Sequence, residues 1–202
     1  MNVHSSINQR SDITMNDKKE RILQATEMLL AKHGFHGLSM QKVAQEAGVA
    51  AGTIYRYFAD KDDLLYQLHD HILGYVAQKI VQDLNDDMSL KQQFRTIWLN
   101  IWNMAINGEV LLINQGQFEH LPRRNSSEQR LREKKLFAKI DQMFDQGKEV
   151  GLFKRLDNDI LSVLSLEPSA CLARKKMNGM LDVSPQQLEA AIEAAWDAIV
   201  QH

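Results

Sequence analysis

The chain has 202 residues, with 24 Lys and Arg against 26 Asp and Glu and a formal net charge of −2. That length can hold a small domain beside a larger one with its own core, and the near balance of charge does not by itself declare a partner. No apolar run approaches the roughly 20 residues of a membrane span, and residues 1–15 lack the apolar centre of a signal peptide, so a cytoplasmic protein without a membrane anchor is expected. Cys171 is the single cysteine, which excludes an intramolecular disulfide and a multi-cysteine metal cluster; its neighbours Ala170, Leu172 and Ala173 predict a buried thiol.

Taken in chain order, residues 1–15 are polar without apolar periodicity and read as a disordered tail. Asp17 with Glu20 reads as a capping box opening a helix whose apolar stripe, Ile22, Ala25, Leu29 and Leu30, runs to a stop at Gly34. Ser39 caps a short helix in which Val43, Ala44 and Ala47 share a face. Gly48 supplies the left-handed residue that closes it, and Val49, Ile54 and Phe58 are the apolar contacts of a second short helix laid across the first. Residues 39–61 therefore read as a helix-turn-helix. Thr53, Tyr55, Arg56, Tyr57 and Lys61 are left to face outward, a set suited to phosphate oxygens and base edges, so the expected partner is duplex DNA. Residues 1–61 hold eight Lys and Arg against six Asp and Glu, and residues 62–202 sixteen against twenty, an asymmetry of the right sign but small.

Asp60 with Asp63 reads as a capping box for a long helix carrying Leu64, Leu65, Leu68, Ile72, Tyr75, Val76 and Ile80. Ser89 with Gln92, Ser126 with Gln129, and Ser184 with Pro185 and Gln187 open later helices. Leu131, Phe137, Ile140, Phe144 and Gly147 mark one helix face, and Leu188, Ala191, Ile192, Ala195, Trp196 and Ile199 mark another. No stretch alternates with period two between turn dipeptides, so the fold class is all-α. The organisation expected is a tail over 1–15, a three-helix helix-turn-helix head over 16–62, and a larger helical ligand-binding and dimerisation domain over 63–202.

The run from Val43 to Lys61, Val-Ala-Gln-Glu-Ala-Gly-Val-Ala-Ala-Gly-Thr-Ile-Tyr-Arg-Tyr-Phe-Ala-Asp-Lys, followed by Leu64-Leu65, resembles the DNA-binding signature of the tetracycline-repressor (TetR) family. The resemblance extends over about residues 17 to 65; beyond that the match is in length and helical layout. It implies that Gly52, Thr53, Tyr55 and Arg56 lie in or beside the major groove, with Ala51 beside them offering a methyl contact at most, that Tyr57 and Lys61 sit on phosphates, and that Gln41 and Lys42 match positions that touch DNA from the preceding helix. One departure is Ala50 with Ala51, where many relatives carry a serine or another polar residue near the start of the recognition helix; it bears on the N-cap of that helix. The resemblance also implies a homodimer in which a late helix and the final helix pack against their symmetry mates. The plain alternative is that both apolar stripes are filled within one subunit.

Residues 90–120 mix large soft side chains with amides. Trp98, Trp102, Asn103 and Phe118 are the candidate lining of a pocket for a small-molecule effector, as the resemblance implies for the body domain. Against that, Trp98 and Trp102 stand four apart on one helical face, the spacing of ordinary core. Glu119 with His120 is a common surface pairing. His69 and His71 are two apart on a helix and point to different faces, so no metal site is expected. Gly48 to Gly52 lacks the Gly-Lys-Ser/Thr of a nucleotide-binding loop, and no nucleophile, base and orienting acid can be placed together, so neither an enzyme nor a cofactor is expected. The reading is a DNA-binding transcription regulator, a ligand-responsive repressor acting as a homodimer. The alternative is a protein of the same fold working through protein partners, for example in division control, without a small-molecule effector.

Overall fold

The computed structural model describes residues 4–107, 120–122 and 126–202, with side chains from residue 17 onward. Among the described residues the secondary structure is helical, and an isolated antiparallel bridge joins Phe153 to Val200. Two compact units are present, Met1–Ile72 with Leu111–Asn125 and Leu73–Val110 with Ser126–His202.

The first unit is built on α1 (His4–His33), a 3-10 turn (Phe35–Gly37), α2 (Met40–Glu46), α3 (Ala51–Ile54) and the first part of α4 (Lys61–Ile80). The helix that the sequence starts at Asp17 begins instead at His4, and Asp17 lies inside it rather than at a cap. Nothing between His4 and His33 interrupts the backbone, since that span contains no glycine or proline. Gly34, at a φ of 63°, ends it and donates to the Leu30 carbonyl at 2.8 Å. Ile22, Leu23, Ala25, Leu29 and Leu30 from α1 meet Val43, Ala44, Ile54, Phe58, Leu64, Leu65 and Leu68 in a core of side chains at most 7% exposed. Thr26 is fully buried there and satisfies its hydroxyl on the Ile22 carbonyl at 2.7 Å.

In the second unit, α4 ends against α5 (Leu90–Ile106). Asn100 donates to the carbonyls of Ile80 at 3.0 Å and Gln82 at 2.8 Å, taking up acceptors that the helix end leaves free, while Asp83 turns the chain at a φ of 67°. Ser89 and Gln92 form a reciprocal capping box at the start of α5, as the sequence predicts. The face read as one helix around Leu131 to Gly147 is two helices, α6 (Ser127–Leu136) and α7 (Ala138–Glu149), parted at Phe137, whose φ of −98° and ψ of 14° leave the helical region. The break lets α7 turn Ile140, Met143 and Phe144 inward while Leu131 stays exposed on the charged α6.

Next come α8 (Asn158–Ser165), α9 (Glu167–Met177) and α10 (Pro185–Asp197), the last opened by Ser184 and Gln187 in a second capping box with Pro185 in the first turn. The core of this unit is aromatic: Phe94 and Phe153 both approach Trp196 edge-on, at 5.3 and 5.2 Å between ring centroids, and Phe144 meets Phe153 at 6.2 Å. Gly147 is required by that packing, because a Cβ there would lie 2.0 Å from the Phe153 ring. The final-helix stripe expected to meet a symmetry mate is used here instead: Ile192, Ala195, Trp196 and Ile199 are all buried in the subunit's own core. Cys171, expected buried, is exposed on α9, because the face of α9 that packs on α5 carries Ser169 and Ala173 instead.

Candidate nucleic-acid interface

The helix-turn-helix closes as its residues dictate. Ser39 accepts from the Lys42 amide at 3.3 Å to cap α2. At the other end Gly48 takes a φ of 63°, the Gly48 amide reaches the Gln45 carbonyl at 3.1 Å, and the Val49 amide reaches the Ala44 carbonyl at 2.9 Å. These are the paired bonds that end a helix on a left-handed glycine. Val43, Ala44, Ala47, Ile54 and Phe58 are buried, as the spacing predicts.

The recognition segment is short. After Ala50, which offers no side-chain cap, α3 covers Ala51–Ile54, and tight turns carry the chain on, with the Arg56 amide on the Thr53 carbonyl at 3.1 Å and the Phe58 amide on the Ile54 carbonyl at 3.0 Å. Gln41, Lys42, Ala51, Gly52, Tyr55 and Arg56 are exposed, Tyr55 by 58%, and Thr53, Tyr57 and Lys61 are half-buried. A Cβ added to Gly52 would meet nothing within 4 Å, so nothing in the head itself requires a glycine there and the space above its backbone is open to a partner.

The cations of the head are not all turned outward. Lys61 Nζ donates to the carbonyls of Phe35 and Leu38, both at 3.1 Å, and Lys42 Nζ donates to the Gly37 carbonyl at 3.0 Å. Arg21, which sequence reasoning did not single out, reaches from α1 to the end of α2 and donates to the Ala47 carbonyl at 2.6 Å. Its one local signal was a guanidinium on a helix flank; the acceptor lies 26 residues away and becomes visible only in the fold. Asp60 accepts from the Asp63 amide at 2.8 Å, whereas the Asp63 carboxylate takes the Ala59 amide at 3.0 Å, so the capping pair at α4 is shifted by one residue from the reciprocal form.

The four candidate effector residues do not come together. Trp98 is fully buried and Trp102 is 7% exposed, and their rings stack at 6.0 Å. Asn103 faces outward into a pocket of about 280 Å³ shared with Lys79, Gln82, Asp83, Asn100 and Met104. Phe118 and Glu119 lie outside the described residues. His69 is buried with its Nδ1 3.6 Å from Asp70, while His71 pairs with Glu20 of α1 at 3.3 Å. Among the described residues, no three potential ligands are placed to hold a metal ion, and no helix is long and apolar enough to cross a membrane.

A buried three-helix core, a glycine-closed turn and an exposed recognition segment define a helix-turn-helix DNA-binding regulator. Comparison places it more narrowly. Residues 22–68 match the family described as bacterial regulatory proteins, tetR family, and residues 89–200 match the tetracyclin repressor-like C-terminal domain, so the chain belongs to the TetR family of transcriptional regulators. It is 35% identical over 183 residues to an HTH-type transcriptional regulator of Haemophilus influenzae, covering 91% of this chain and 96% of that one. A solved TetR-family protein from Vibrio parahaemolyticus is 49% identical, with a TM-score of 0.80 over 92% of this chain and 99% of its own. A TetR-family regulator from Marinobacter aquaeolei VT8 superposes with a TM-score of 0.81 at 25% identity, over 96% and 100%.

Proposed function

We propose that the protein is a repressor that binds a pseudo-palindromic operator in the cytoplasm as a homodimer and releases it when a small molecule occupies the body. The observation that carries the DNA-binding part is the exposed set on and beside α3, where Tyr55 and Arg56 stand free of the core and Gly52 leaves its backbone open. Arg56 suits a guanine edge or a phosphate, Thr53 a thymine edge or a phosphate, and Gln41, Lys42, Ala51 and Tyr57 flank them. A dimer would present two such segments to successive major grooves about 34–36 Å apart, and an effector would act by favouring a state in which that spacing is lost.

For the dimer surface we propose α8 in place of the stripe on α10. Ile160, Val163 and Leu164 share one face of α8 at helical spacing and are 45, 53 and 45% exposed. The second reading, a regulator acting through protein partners without an effector, is favoured by the tight Trp98–Trp102 stack and by the polar lining of the pocket at Asn103. Selection of duplexes from a random DNA pool with the purified protein tests the first element. A twofold-symmetric consensus is expected, and recovery of no consensus sequence would defeat the operator reading. Release of the selected duplex by members of a small-molecule library then separates the two readings of the body.

A further inference from the structure

We propose that α6 is a docking helix for a second copy of this chain, seating its cationic outer face on the acidic loop between α4 and α5 of a neighbouring dimer. The proposal rests on the dimer reading above and adds a contact to it. Within α6 the one buried residue is Gln129, so the helix owes little to the subunit's own core. It carries Arg130, Arg132, Lys134 and Lys135 against Glu128 and Glu133, on a body that is acidic, with sixteen Lys and Arg against twenty Asp and Glu over residues 62–202. Leu131 is 54% exposed, and helical spacing puts Lys134 and Lys135 on its face. Both lysines are exposed, and neither makes a salt bridge or hydrogen bond among the described residues.

Charge selects the occupant. Between Ile80 and Leu90 the charged residues are Asp83, Asp86 and Asp87, all exposed and none in a salt bridge among the described residues. Asp83, Asn100 and Asn103 also line the pocket of about 280 Å³, and Asn100 spends its amide nitrogen on the Ile80 and Gln82 carbonyls, which leaves its oxygen to accept. Carboxylates beside amide oxygens make an acceptor set for an ammonium or a guanidinium. Lys79 is the cation on that wall, and its Nζ lies 5.7 Å from the centre of the Tyr75 ring. Leu84, half-buried within the loop, offers Leu131 an apolar neighbour. An anionic membrane fits less well, because Leu131 and Leu136 are five residues apart on different faces and α6 lacks the continuous apolar face that a surface helix inserts. Since the two surfaces differ, the contact is heterologous, and it joins dimers in series, including dimers held at neighbouring sites on DNA. Exposed charge pairs are individually weak, so the association is reversible and sensitive to salt.

Sedimentation velocity tests it on the full-length protein, comparing wild type with Lys134→Glu plus Lys135→Glu and with Asp86→Lys plus Asp87→Lys. Each is run at low salt and at about 1 M, where the screening length falls to about 3 Å. Wild type is expected to shift to species larger than the dimer at low salt and to return to the dimer at high salt. Each double variant alone should stay at the dimer in both, since one of its two surfaces is reversed. An equal mixture of the two should recover the larger species, because one variant keeps an intact loop and the other an intact α6. Wild-type sedimentation indifferent to salt overturns the proposal, as does a variant that still associates alone or a mixture that does not recover. Growth that needs phosphatidylglycerol vesicles gives α6 to a membrane and overturns docking of a second copy. Should a reversal not fold, Lys134→Gln plus Lys135→Gln and Asp86→Asn plus Asp87→Asn replace it, each expected to weaken the low-salt association. A wild type that is monomeric at high salt defeats the dimer reading, while the salt-reversible step still decides the role of α6.

Discussion

Arg56 and Trp102 show how exposure sorts side chains that a sequence alone treats alike. Arg56 is exposed on the turn following α3, and its planar fork suits two acceptors at once. Arg56→Ala is therefore expected to cost about 1–3 kcal/mol in binding to the selected duplex and to relax the preference at one base position, measured by competition with single-base variants. Trp102 is 7% exposed and stacked on Trp98 in the aromatic core. Trp102→Ala should accordingly destabilise the fold by about 3–5 kcal/mol in chemical denaturation, through lost burial and the cavity left behind. A variant of unchanged stability would mean the ring lines an open site after all. Trp98 adds a detail: its indole N–H is buried with no acceptor among the described residues.

Among the elements, local signals were legible where a residue and its partner lie within one turn. Ser39, Ser89, Ser126 and Ser184 each cap the helix they were expected to open, and Gly48 turns where the spacing required. Signals were lost where the deciding contact is distant. The Lys61 hydrogen bond to the Phe35 carbonyl spans 26 residues, and the stripe on α10 gave no sign of whether a subunit or its mate would fill it. Asp17 carried every mark of a cap, yet the preceding residues hold no breaker, so the helix runs through it.

Within α4, Gly74 lies in the helix interior, and a Cβ there would meet nothing within 4 Å. Gly74→Ala should then raise stability by about 0.5–1 kcal/mol by restricting the unfolded chain, read as a shift in the denaturation midpoint. A loss of stability would point to a neighbour or a distortion of the helix that the substitution disturbs. The junction of α7 and α8 gives a dependence on acid. Asp145 is held below the usual carboxylate range chiefly by hydrogen bonds from Lys148 and then from Asn158, and Glu189 likewise by Arg95, which grips it with two nitrogens. A depressed folded value means that the contribution is present above the unfolded pKa, near about 4, and is lost as pH falls through the folded value. Melting temperature should decline from about pH 4 downward, and Asp145→Asn should flatten part of that decline. A profile identical to wild type would show the Asp145 contacts to be without weight.

At the scale of the whole molecule, the buried stripe on α10 and the exposed face on α8 make opposite predictions for two similar substitutions. Trp196 touches Phe94 and Phe153 and is 8% exposed, so Trp196→Glu puts a carboxylate into the subunit's own core. An unpaired buried charge of that kind unfolds or neutralises rather than parts two subunits. Val163 is 53% exposed on α8 between Ile160 and Leu164, and Val163→Glu adds a charge that water can solvate in an isolated subunit. If two α8 faces meet across a twofold axis, the same substitution brings two carboxylates into one apolar interface and should yield monomers of unchanged helicity. Because a monomer presents one recognition segment, it should also bind a single half-site in place of the full selected duplex. Sedimentation velocity with circular dichroism on both variants separates the cases. Val163→Glu that remains dimeric removes α8 from the interface, and Trp196→Glu that gives folded monomers would return it to α10.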